Sequence, residues 1–140
     1  MKALTLAFSL LLAHSAASFA QCGKNVKLAA LKTTYLDGNG DVQRSVDEKS
    51  VILVHPSEVI ITVNGEHKMT CAVKSATCHW AVPFKEGKTV MKAAVEKDGE
   101  RKDITLTIEG KKGKVTFLVE IADRPDHVIS VAIDKFGEER

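Results

Sequence analysis

An all-β fold is predicted for this chain: an antiparallel up-and-down meander of roughly eight to ten strands, closed or nearly closed into a barrel, with a β-sandwich as the alternative. Three observations carry that prediction. From Ile104 to Phe136 the apolar residues alternate, with Ile104, Leu106, Ile108, Val115, Phe117, Val119, Ile121, Ile129, Val131 and Ile133 forming one row. Between them stand Asp103, Thr105, Thr107, Lys114, Thr116, Glu120, Ser130 and Asp134, so the side-chain period is two and one face is wet. Turn signals recur about every 8 to 12 residues with no convincing helical period between them, the spacing of a barrel or a sandwich. Every connection from Val51 onward reads as a short hairpin rather than the long crossover of a Greek key, and a meander removes both of its edges by closing.

Residues 1–20 read as a targeting segment. Lys2 is the positive end, Leu4 to Ala13 the apolar run, and Ser18-Phe19-Ala20 places small residues where a signal peptidase cuts. The expected organisation is a signal peptide over 1–20 and a single barrel-like domain over 21–140, exported to the periplasm or beyond. The apolar run falls short of the roughly 20 residues a permanent span requires, and no later run is longer, so no integral membrane segment is expected. Gln21 stands where a lipoprotein signal needs a small residue, which argues against a lipid on Cys22.

The mature chain opens at residues 25–36 with Val26 and Leu28 on one parity and Leu31, Thr33 and Tyr35 on the other. A β-bulge near Ala29-Ala30 would bring both sets to one face, a short helical turn being the competing reading. Asp37-Gly38-Asn39-Gly40-Asp41 is turn chemistry, followed by a polar strand or loop to Ser50. Residues 51–55 and 59–63 are short runs apolar on both faces, split by Pro56-Ser57-Glu58. Asn64-Gly65 is the strongest two-residue hairpin signal, since both positions accept positive φ. The next strand carries Met69, Cys71 and Val73; a turn over residues 73–76 would return the chain through Cys78, Trp80, Val82 and Phe84, the bulkiest inward row. Pro83 marks a strand end. Glu86-Gly87 leads into Met91, Ala93 and Val95, and Asp98-Gly99 and Gly110 to Gly113 are the turns that follow.

This order of apolar runs, Asn64-Gly65, the Asp98-Gly99 and Gly110 to Gly113 hairpins and a last strand ending at Phe136 resembles the meander of lipocalins and fatty-acid-binding proteins. The resemblance implies a barrel with an interior for a small apolar ligand. It does not extend to the helical lid or the Arg and Tyr clamp of fatty-acid-binding proteins, because the last strand reads Val128-Ile129-Ser130-Val131-Ala132-Ile133. The segments Cys78 to Lys88 and Ile104 to Gly110 also resemble small exported bacterial proteins of the Bacteroidota kind, which implies export and fold but no activity.

Charge narrows the partners. Lys and Arg number 20 against 18 Asp and Glu, a net charge of +2, lowered by one when Lys2 leaves with the leader. Alternating signs at so low a net charge argue against an electrostatic grip on nucleic acid. Lys111, Lys112 and Lys114 flank Gly110 and Gly113 and read as a solvated hairpin tip.

Cys71 and Cys78 face inward by parity and, across the expected turn, would meet as a close cross-strand pair, so a disulfide between them is expected in an exported chain. Cys22 to Cys78 is the rival pairing. His67, Cys71, Cys78 and His79 do not make a zinc site, since neighbours on a strand point to opposite faces. Asp37, Asn39, Asp41 and Glu48 fall at the oxygen-ligand positions of a calcium loop, but Val42 stands where such a loop has Gly; a turn with acidic neighbours is the preferred reading and weak calcium binding the alternative. No motif specifies a reaction, no cofactor is expected, and the chain is read as a non-enzyme. The function expected is binding of a small apolar ligand near Met69, Trp80, Phe84, Met91, Phe117 and Ile133. The alternative is a structural or protein-interaction module of the cell envelope with a filled core, and cavity volume separates the two.

Overall fold

The computed structural model describes residues 22–139; the expected signal peptide lies outside the described residues. Eight strands follow one another: β1 (Val26–Leu36), β2 (Val42–Val54), β3 (Glu58–Val63), β4 (Glu66–Val82), β5 (Glu86–Lys97), β6 (Glu100–Lys111), β7 (Lys114–Ile121) and β8 (Arg124–Glu138). Each pairs antiparallel with the next, and β8 returns to β1, so the meander closes into a barrel. A sandwich is thereby excluded.

Turn chemistry sets the register. Asn64-Gly65, Asp98-Gly99 and Lys112-Gly113 each have positive φ at both residues, 51° and 83°, 54° and 79°, and 53° and 82°. That backbone matches the twist of the strands it joins. The β1–β2 turn uses Asp37, whose Oδ1 accepts from the backbone N–H of Asn39 and Asp41, both at 2.9 Å.

Bulges explain where the alternation changes parity. In β1, Val26, Leu28 and Ala30 are buried and then Thr33 is, with pairing shifts on either side of Ala30 and Leu31 left 56% exposed. The predicted bulge is present, but it turns Leu31 outward rather than to the face of Val26 and Leu28, so that of the second set only Thr33 and Tyr35 face the interior. The core is one cluster that includes Leu28, Ile52, Val59, Met91, Leu106, Ile108 and Phe117, drawn from the inward rows of the strands.

Two expectations are corrected in β4. No turn occurs over residues 73–76: β4 is one strand of 17 residues. The parity change from Cys71 and Val73 to Cys78 and Trp80 comes from a pairing shift against β5 between Val73 and Ser75, leaving Lys74 as the extra residue. Val73-Lys74-Ser75-Ala76 holds no Gly, Pro, Asn or Asp to make a tight turn. The Cys71–Cys78 disulfide falls with that turn, because seven residues of one strand separate the two cysteines by about 20 Å. The bond joins Cys22 to Cys78, with Cα atoms 5.9 Å apart, and Cys71 is free and buried. A disulfide indicates a location outside the reducing cytoplasm. Among the described residues no helix is long and apolar enough to cross a membrane.

Candidate ligand-binding chamber

The length of β4 makes the two ends of the barrel different. Its residues 66–72 pair with β3 and its residues 72–82 pair with β5, the hand-over falling at Ala72. Each half thus runs on past the partner of the other. At one end β4 overruns β3; at the opposite end β4 and β5 part beyond the Ala72–Ala94 pair.

The first end is closed. Cys22 crosses it to bond Cys78, and Glu139 N–H donates to Asn25 C=O at 2.9 Å while its carboxylate meets His55 Nε2 at 2.7 Å. Trp80 and Phe84 pack on Phe136 with ring centroids 5.7 and 4.8 Å apart. Phe84 does not continue the strand row. It sits in the β4–β5 turn at φ 65°, closed by Lys85 N–H to Val82 C=O at 3.0 Å, and so folds over the end, while Val82 is exposed. The buried indole N–H of Trp80 donates to Thr89 Oγ1 at 2.8 Å, and Thr89 Oγ1 donates to Cys78 Sγ at 3.4 Å. The polar atoms of this plug are therefore satisfied.

The second end holds a chamber of about 450 Å³. Its β3 and β4 wall is Ile61, Val63 and Met69; its β7 and β8 wall is Phe117, Val119, Ile129 and Val131. Thr33, Tyr35, Glu48 and Ser50 supply hydroxyls and one carboxylate from β1 and β2. Through the parting of β4 and β5 a second cavity of about 660 Å³, lined by Met69, Thr70, Val95, Ile104 and Ile121, shares Lys68, Met69, Lys97, Val119 and Ile129 with the first. The interior is therefore reached through the side of the barrel as well as along its axis. These volumes lie within the range of about 300 to 1,000 Å³ typical of small-molecule sites.

The six residues named from sequence divide between the ends. Met69 and Phe117 line the chamber. Trp80 and Phe84 belong to the plug, Met91 is fully packed in the core between them, and Ile133 packs partly buried against that core. The calcium-loop residues are not gathered: Asp37 accepts from Gln43 Nε2 at 3.1 Å with its second carboxylate oxygen, and Glu48 stands on β2 at the chamber wall. Among the described residues no three His, Cys, Asp or Glu side chains are placed to hold a metal ion. His79 is exposed, and His67 bonds Thr70 Oγ1 at 2.7 Å.

Sequence reasoning missed Lys68, Lys97 and Glu48 as chamber residues. Lys97 continues the Met91, Ala93, Val95 row at the period of two, so the alternation carried its signal. Lys68 does not: the shift in β3–β4 pairing between Ile61 and Thr62 leaves it as the extra residue beside Met69, and a bulge re-aims a side chain in a way no alternation predicts. No family model, curated protein or solved structure matches this chain.

Proposed function

We propose that this protein is an exported, non-enzymatic, lipocalin-like binder that holds a small apolar molecule in the chamber between β1–β3 and β7–β8. The observation that supports this reading is the apolar-walled space of about 450 Å³ at one end of a barrel whose other end is densely plugged. An interior this size lined by Ile61, Met69, Phe117, Val119 and Val131 favours apolar occupants, each buried CH₂ being worth about 0.8 kcal/mol. The test is titration of the full mature chain with N-phenyl-1-naphthylamine, a neutral apolar fluorophore. Saturable one-to-one uptake is expected, abolished in Ile129→Trp, which fills the chamber while leaving the far-ultraviolet circular dichroism unchanged. An interaction module with a filled core predicts no uptake at all, and that result would replace this reading. Native mass spectrometry of protein taken from its own host then gives the mass of whatever it carries.

A further inference from the structure

We infer that the chamber takes an amphipathic anion, an apolar body bearing one carboxylate, sulfate or phosphate group, with that group held at Lys68 and Lys97. The inference rests on the chamber being a binding site and goes on to name the class of molecule bound.

Two different devices bring these lysines to the same cavity. Lys97 arrives by strand alternation at the end of β5, and Lys68 by the bulge opposite Ile61 and Thr62 in β4. They stand on the two strands that part, and both line the chamber as well as its lateral mouth. Neither makes an ion pair among the described residues. Lys74, Lys88 and Lys102 do, with Asp103 at 2.7 Å, Glu109 at 3.5 Å and Asp123 at 2.9 Å. Other surface lysines, Lys27, Lys32 and Lys49 among them, are also outside these ion pairs; Lys68 and Lys97 differ from them in lining both the chamber and its mouth.

The remaining charges are consistent with an anionic head at the mouth and an apolar body inside. Glu48 is the one carboxylate lining the chamber, against two lysines. Glu58 and Glu96 lie at the outer mouth, Glu58 beside His55 at 4.0 Å. Lys102, also at the mouth, is engaged by Asp123, and His67 by Thr70. Beyond the lysines the walls are mainly apolar, with the buried hydroxyls of Thr33 and Ser50 as polar exceptions, so a largely neutral tail is the part of the ligand that goes deepest. Both lysine heads are exposed, which makes their attraction modest and sensitive to salt.

The probes are dansyl-undecanoate and its methyl ester, titrated into the full mature chain. The acid is expected to bind about three- to tenfold tighter than the ester, with the difference shrinking in high salt. In Lys68→Met/Lys97→Met the two probes bind alike, the acid having lost its advantage over the ester. Equal or tighter binding of the ester by the wild-type chain overturns the assignment of the head group and leaves the chamber intact. Preference for a dansyl alkylamine, lost in Glu48→Gln, overturns it in favour of a cationic ligand. Should the double variant fail to fold, the acid-to-ester ratio and its salt dependence in the wild-type chain decide the matter. If none of these probes binds, nor N-phenyl-1-naphthylamine, it is the reading of the chamber itself that fails.

Discussion

Gly87 and Gly110 face each other across β5 and β6, and the ring of Trp80 lies over both. A Cβ on Gly87 would run into the carbonyl oxygen of His79 and stand 2.5 Å from Trp80 Cα and 2.6 Å from its ring. One on Gly110 would stand 2.5 Å from the carbonyl oxygen of Lys85 and 3.0 Å from Trp80. Gly87 also has φ 154°, outside the range that side-chain-bearing residues favour. Gly87→Ala is expected to lower stability by about 3 kcal/mol, read as an earlier urea midpoint with a red-shifted Trp80 emission. Cys71 is the other side chain whose setting decides its chemistry. Wholly buried, its thiol is pushed up to about 11 by desolvation, which makes it inert. Its inward orientation was legible in the parity of Met69, Cys71 and Val73. Its partner was not, because pairing depends on whether 73–76 turns back or runs on, and that is decided by the continuous ladder of β4 with β5.

At the scale of the elements, the alternation in β6, β7 and β8 and the Asn-Gly and Asp-Gly turns were readable because each uses a local rule. β4 was not: two apolar parities separated by Lys74-Ser75-Ala76-Thr77 look the same for a hairpin and for a bulge. What distinguishes them is the partner strand. β4 is also tied laterally by an ion pair, and β6 by a second. Lys74 at its bulge holds Asp103 of β6, and Lys102 of β6 holds Asp123 in the β7–β8 turn. The hydrogen bonds and charges of these lysines keep both aspartates below the ordinary carboxylate value of 3.8, and Asp123 raises Lys102 above 10.5, first through its hydrogen bond. The folded aspartates therefore bind fewer protons than the unfolded ones. Their contribution is full above 3.8 and is lost as pH falls through the depressed values; that of Lys102 is full below 10.5 and is lost as pH rises through its raised value. Asp123→Asn should flatten both limbs of a plot of urea midpoint against pH, and high salt should do the same to the wild-type curve.

Over the whole molecule, closure was legible and the asymmetry of the ends was not. Short hairpins throughout imply that β8 can reach β1, and it does. That one end is plugged by Trp80, Phe84 and Phe136 while the other is hollow depends on where β4 changes partners, a property of three strands together. Of the residues expected from sequence to meet a ligand, Trp80 and Phe84 form the plug while Met69 and Phe117 line the chamber.

The Cys22–Cys78 bond also determines how the molecule would behave as a mechanical object. It spans 56 positions, so β1, β2, β3 and most of β4 lie within a covalent ring. Pulled from its termini, the oxidised chain transmits load through that bond directly from the start of β1 to the far half of β4. Only the second half of the barrel can then lengthen. Reduction should add about 200 Å to the contour length released on unfolding, at roughly 3.6 Å per residue, and single-molecule stretching with and without reductant measures that difference.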